Sequence, residues 1–250
     1  MAIITAIASQ KGGVAKSTTS INLSSGIARK GKRVLLIDID PQANSSRVLY
    51  HDYSNLKKED TLWDTIIKNQ TLKLYATDIP GLKVVPSHIL LSNADIDLQS
   101  VFKREERLKM NLDRIRDDFD YIFIDCPPSL SWLTYNALVA ADRVLVPVSP
   151  GFFELESLIQ INKTIYEIQQ INTKLSIAGY LFTISDNTTS SKISLKVLRQ
   201  TYPTYALVNI IPKNVDLRDA STAKMDIFSY NHKALAAEAY QRVIQEVYGI

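Results

Sequence analysis

The chain has 250 residues, 46% hydrophobic and 22% charged, a length and balance expected of one large globular domain, residues 1–250, with a well-buried core. No run of about 18 apolar residues occurs, and the opening MAIITAIASQ is too short to span a bilayer and lacks the basic start and cleavage pattern of a secretory signal, so the expected address is cytoplasmic. The single cysteine, Cys126, excludes an internal disulfide, and the mild net charge of +3 permits but does not demand a basic face for nucleic acid or acidic lipid.

In chain order, residues 2–8 read as a buried strand that runs straight into SQKGGVAKSTTSINLS and a helix over 17–30. Residues 33–37 predict a second strand, ending in IDIDPQANSS. The stretch 52–87 is less regular and reads as a surface excursion. A helix over 103–116 precedes a strand at 121–124, and a helix over 132–140 leads to a strand at 143–148. A helix at 154–170, strands at 177–184 and 206–211, and a closing helix at 233–247 complete the series. Strands flanked by helices, without any fixed-period repeat, predict an α/β protein: three layers, a mostly parallel twisted sheet with helices on both faces.

Three segments carry chemistry. In KGGVAKST, residues 11–18, a strand-to-helix turn lets consecutive backbone N–H groups point at one anion, with a helix N-terminus behind them. Lys11, Gly12, Gly13, Val14, Ala15, Lys16, Ser17 and Thr18 are the candidate phosphate-binding residues. Lys16 supplies a charge to the β- and γ-phosphates, and the Ser17 hydroxyl is placed for Mg²⁺. The strict G-x-x-x-x-G-K-[ST] pattern is not met, because Gln10 and Ala15 stand where it has glycines. In IDIDPQANSS, Asp38 and Asp40 lie at a strand's carboxyl end, where ligands gather in open parallel sheets. They are read as facing different ways, one positioning the attacking water and the other organising the metal shell or the loop. In DYIFIDCPPSL an apolar strand ends in Asp125, the pattern of a carboxylate that holds Mg²⁺ directly or through water. Cys126 beside it reads as a small buried residue.

The blocks KGGVAKSTT, LLIDIDPQAN, YIFIDCPPSLSWLTYNAL and IIPKNVDLRDA, in that order and over most of the chain, resemble the ParA/MinD group of deviant Walker A ATPases, a P-loop NTPase fold, and within it the ParA/Soj branch. The resemblance implies ATP and Mg²⁺ as ligands and ATP hydrolysis as the activity. Lys11 matches the signature lysine that crosses a dimer interface to the partner's nucleotide. Lys16 and Ser17 match the loop lysine and the magnesium ligand, Asp40 the carboxylate needed for hydrolysis, and Asp38 and Asp125 supporting positions near metal and water. Pro212 and Asn214 fall where related proteins hold the adenine. The implied cycle is an ATP-bound homodimer that binds double-stranded DNA without sequence preference on the nucleoid. A ParB-like or other adaptor protein then stimulates hydrolysis, segregating a plasmid or chromosome. Three departures stand out: Ala15 replaces a usual glycine, a change expected to be tolerated where the backbone avoids the left-handed region. Ser131 and Trp132 replace a glycine and a smaller apolar residue, and TISDNTTSSK lacks an arginine often found in that loop.

Lys192, Lys196 and Arg199 share one helical face by their spacing and, with the resemblance, are the candidate DNA-binding residues. Positioning of a protein organelle on the nucleoid is an alternative within the family. MinD-like membrane action ranks lower, because the C-terminus HKALAAEAYQRVIQEVYGI has small alanines and few basic residues and reads as a core-packed helix. A metal-cluster scaffold would need paired cysteines. A binding module without turnover is opposed by Lys16, Ser17, Asp40 and Asp125, and a dinucleotide-binding dehydrogenase by the absence of G-x-G-x-x-G.

Overall fold

In the computed structural model, residues 1–151 and 153–250 are described, with the side chains of 153–157 set aside. The strands are β1 Ile3–Ile7, β2 Val34–Asp38, β3 Tyr75–Ala76, β4 Leu82–Val85, β5 Tyr121–Asp125, β6 Arg143–Val148 and β7 Ser176–Phe182. They form one sheet in the order β3-β4-β2-β5-β1-β6-β7, parallel except where β3 meets β4. The helices are α1 Lys16–Ala28, α2 Asn44–Leu49, α3 Leu62–Lys68, α4 Ala94–Asp97, α5 Arg107–Leu112, α6 Trp132–Ala140, α7 Phe153–Gln169, α8 Thr189–Thr201, α9 Val215–Thr222, α10 Ile227–Asn231 and α11 Leu235–Tyr248.

The strands are apolar throughout because both faces of the sheet are covered, and successive side chains feed opposite cores. In β5, Ile122 and Ile124 enter a cluster with Leu133, Ala137, Leu158 and Ile161, while Tyr121 and Phe123 enter one with Leu23, Ile27, Tyr240 and Ile244. α11 belongs to the second core. Ala236, Ala237, Tyr240, Val243 and Ile244 are buried there, so its apolar face is already occupied. Among the described residues no helix is long and apolar enough to cross a membrane.

The three-layer α/β architecture and strands β1, β2, β5, β6 and β7 follow the sequence reading. Three local expectations are corrected. The region 52–87 is not only surface: it holds α3, β3 and β4, and β4 pairs in parallel with β2 through Val34–Leu82 to Ile37–Val85. β4 is four residues long, with Lys83 exposed between buried Leu82 and Val84, too brief for its period to stand out. Residues 206–211 form no strand. They run beside β7 on isolated bridges, with Leu207 N–H donating to Tyr180 O (3.1 Å) and Ile211 N–H to Phe182 O (2.9 Å). The segment 103–116 is broken: Lys103 is left-handed (φ 54°), Arg104–Glu106 forms a 3₁₀ turn, and the α-helical part is limited to α5.

Candidate functional site

The strand order puts β1 between β5 and β6, so the loop after β1 and the ends of β2 and β5 meet at the carboxyl edge of the sheet. Pairing aligns Asp125 with Ile7 on one side and with Asp38 on the other. Two grooves open there. A cleft of about 530 Å³ is bordered by Gly12, Gly13, Ala15, Lys16, Ser17 and Thr18, with Asp40, Gln42, Asn44 and Arg47 opposite. A neighbouring groove of about 570 Å³ shares Gly13, Ala15 and Thr18 and continues to Pro212 and Asn214. Lys11 and Val14 are not in either wall. Val14 turns into the core, and its carbonyl accepts the Thr183 hydroxyl at 3.1 Å.

Lys16 is 7% exposed, and its ammonium donates to the Lys11 carbonyl at 2.8 Å, so the loop is closed on its own lysine. Burial pulls the Lys16 pKa down while Asp125, Cys126 and Asp40 pull it up. A desolvated ammonium facing carboxylates at the head of a helix is an arrangement that gains from an anion. Gly13 takes φ 78°, which a side chain would disfavour. The expected tolerance of Ala15 is corrected: its backbone does enter the left-handed region, at φ 62° and ψ 35°. The chain therefore holds strain of about 1–2 kcal/mol at the turn into α1. The residues that follow force this geometry, because the Thr19 N–H must reach the Ala15 carbonyl (2.9 Å) to start the helix.

The carboxylates divide by depth. Asp125 is fully buried and accepts Ser45 Oγ at 2.6 Å, Ser20 Oγ at 3.1 Å and the Ser17 hydroxyl. Its pKa is raised to about 6, first by burial and further by Asp40, against the pull of those hydroxyls. Asp38 is also fully buried. Its Oδ1 accepts the Asp40 N–H (3.2 Å), and its Oδ2 accepts the Ser46 N–H (2.8 Å) and Oγ (2.7 Å). Burial, and then the charge of Asp125, push its pKa well above the usual carboxylate range. Expected near the metal, Asp38 thus sits behind the cleft wall with protein donors on both oxygens. It braces the loop that carries Asp40. Asp40 is 6% exposed and lines the cleft, with Oδ1 fixed by the Gln42 N–H at 2.9 Å. Strand alternation does not separate the two, since residues two apart share a face. They part because β2 ends at Asp38.

Residues absent from the sequence reading complete the site: Ser20, Ser45 and Ser46 hold the buried carboxylates, and Asn44 and Arg47 border the cleft. Apart from Ser20 on α1, their signal lay in NSSR, residues 44–47, shortly after Asp40, legible only once α2 folds back over the edge. Cys126 is wholly buried, with a thiol pKa raised well above normal by burial, as fits a packing residue. Trp132 starts α6, its N–H capped by Asp95 Oδ1 (2.8 Å) and its ring 4.0 Å from the Arg104 guanidinium. Ser131 and Asp40 share a smaller groove of about 280 Å³.

Among the described residues no cluster of three metal-ligating side chains exists. Mg²⁺ does not require one, since it takes one or two protein oxygens and completes its shell with phosphates and water. Ser17 lines the cleft and offers one such oxygen, while the buried Asp125 accepts the Ser17 hydroxyl from behind. In the second groove, Asn214 precedes α9 as its N-cap residue yet makes no capping bond, and its buried Oδ1 has no partner. That acceptor is left for a donor from outside the chain. Lys192, Lys196 and Arg199 are exposed on α8 and border neither groove, and Arg199 Nη2 donates to Val208 O at 2.9 Å.

Residues 1–177 match the AAA_31 family of AAA domains. The chain is 38% identical over 251 residues to the sporulation initiation inhibitor protein Soj of Bacillus subtilis, covering 99% of this chain and 98% of that one. It is 38% identical to the chromosome partitioning protein ParA of Caulobacter vibrioides, covering 98% and 93%. Among solved structures, the cobyrinic acid a,c-diamide synthase of Mycobacterium smegmatis with bound ADP and magnesium superposes at TM-score 0.82 and 32% identity, covering 100% and 97%. A putative plasmid partition protein of Borrelia burgdorferi bound to AMPPNP does so at 0.85 and 25%, covering 98% of each chain. The loop after β1, the carboxylates at the ends of β2 and β5 and identity along nearly the whole length agree: this chain belongs to the AAA_31 family, in its ParA/Soj group of partition ATPases.

Proposed function

We propose that the chain hydrolyses ATP with Mg²⁺ and uses the cycle to segregate a plasmid or chromosome. The observation that carries this reading is the buried Lys16, set between the loop amides and the acidic ends of β2 and β5. Gly12 to Thr18 would cradle the phosphates, Pro212 would pack on the base, and the orphan Asn214 oxygen would accept from its amino group, favouring adenine. Ser17 would hold Mg²⁺, with Asp125 behind it accepting the Ser17 hydroxyl, and the ion would offset phosphate charge. Asp40, fixed by Gln42 and braced by Asp38, would orient the attacking water. Its placement by backbone bonds before any ligand arrives is the preorganisation that makes such a group effective.

Lys11 opens the loop but does not border its own cleft, which suits a role across the interface of an ATP-bound homodimer. The exposed cations of α8 are the surface for duplex phosphates. A ParB-like adaptor would complete the site and accelerate turnover. Calorimetry with Mg-ATP, followed by phosphate release with and without DNA, tests the core of this reading; absence of nucleotide uptake ends it. Lys11→Ala should abolish ATP-dependent dimerisation seen by light scattering. Reversing Lys192, Lys196 and Arg199 together should weaken all DNA sequences alike and flatten the salt slope by about 3. Unchanged affinity at fixed salt would move the DNA surface elsewhere.

A further inference from the structure

The cleft extends beyond the phosphate loop, and its lining includes two cations that the reading above leaves unused. Arg47 lies on α2 beside Asn44 and Val48, and Lys224 in the turn after α9 beside Met225; all five border the cleft. Both side chains are exposed. The Arg47 guanidinium carbon stands 5.5 Å from the centre of the Tyr53 ring, which holds it by a cation–π contact on the α2 side.

Lys224 is informative for its backbone. Its N–H donates to Ser221 O (3.1 Å) and the Met225 N–H to Ala220 O (2.9 Å), so α9 ends in a Schellman turn with Lys224 at the left-handed position, φ 55°. That position strongly favours glycine, and a side chain there costs about 1 kcal/mol. A strained lysine at a helix end is expected where its side chain is used, and this one borders the cleft.

We infer that Arg47 and Lys224 form a two-sided cationic clamp for the phosphate chain of the nucleotide, one arm on α2 and the other on the turn after α9; the inference rests on the ATP-binding reading. Two like charges bordering one cleft repel each other and are drawn together by an anion between them. The guanidinium offers a planar fork of donors and the ammonium a point charge, so the arms differ in geometry and share a target.

The test is calorimetric titration of the full chain with Mg-ATP at two salt concentrations, paired with thermal melting. Arg47→Gln and Lys224→Gly should each weaken binding about five- to tenfold and the double variant more, with a shallower salt dependence; Arg47→Lys should keep most of the affinity. Lys224→Gly relieves the turn, so it should melt no lower than the parent while binding worse, a split that a purely structural lysine would not produce. Wild-type uptake of Mg-ATP with unchanged affinity in both single variants overturns the clamp alone. No uptake by the wild type overturns the ATPase reading and the clamp with it.

Discussion

The two edges of the sheet handle charge in opposite ways. At the amino edge two carboxylates are each matched by an arginine. Asp120, just before β5, takes the Arg33 backbone N–H at 2.8 Å and its guanidinium at 2.9 Å. Asp142, before β6, takes the Ile4 N–H at 2.8 Å and is paired with Arg116, which also donates to the Ala2 carbonyl. At the carboxyl edge three buried carboxylates gather, Asp40 and Asp125 acting on Lys16, and burial raises the pKa values of Asp38 and Asp125. Backbone conformation divides the same way. The left-handed residues just before β2 and β4 are Gly31 and Gly81, whereas around the two grooves Ala15, Ala43, Ile184 and Lys224 hold positive φ with side chains attached, alongside Gly13. One edge is organised for folding and the other for a ligand, and strain with unmatched charge marks the second.

The largest effect should come from the ligand-facing edge. Asp40→Ala should lower the hydrolysis rate by a factor of about 10²–10⁴ while ATP binding stays within a few fold. Single-turnover phosphate release reads it, and a normal rate would take Asp40 out of the chemistry. The matching change at the other edge, Asp142→Ala, should leave turnover of the folded protein intact. It strips a partner from Ile4 and Arg116 together and should cost about 1–3 kcal/mol in urea unfolding.

pH separates the edges by sign. Asp125 has a folded pKa of about 6 against an ordinary 3.8, so the folded apo chain holds that proton longer than the unfolded chain does. The Asp125 contribution to stability should fall as pH rises between those values and then level, and Asp125→Asn should remove that part of the fall, leaving the part due to Asp38. The bonds from Arg33 hold Asp120 below the usual carboxylate range, which reverses the slope. Its contribution is present above the ordinary value and lost as pH drops through the folded one, a loss that Asp120→Asn should abolish. Urea midpoints across pH for the three proteins decide the matter.

The smallest effect concerns backbone strain. Ala15→Gly exchanges relief of the left-handed penalty for greater freedom of the unfolded chain, a net gain of at most about 1 kcal/mol. Gly31→Ala, at φ 78° with no atom near its missing Cβ, should lose about as much through strain alone. Melting temperatures moving together would erase the contrast in backbone between the edges.

Much of the fold was legible because covered parallel strands are short apolar runs with sharp polar ends, and β1, β2, β5 and β6 each stop where the pattern stops. β4 was not, since four residues beside a turn carry little periodicity. Its place is set by pairing with β2, a partner far away in sequence. The pseudo-strand 206–211 was over-read because apolar composition matched while only isolated bridges formed.

In the site, the sequence by itself determined the chemical inventory: a loop with two glycines and two lysines, a serine at a helix start and three aspartates at strand ends. These are local features, dictated by the turn between one strand and one helix and by which residue ends an apolar run. Only the tertiary structure decided how they divide. Asp38 became a brace because Ser46 folds back onto it, and Asp125 became buried because Ser17, Ser20 and Ser45 surround it. Arg47 and Lys224 face one cleft although they are far apart in the chain. Depth, and with it charge state, depends on what packs over a residue, and that covering comes from segments whose meeting no local pattern encodes.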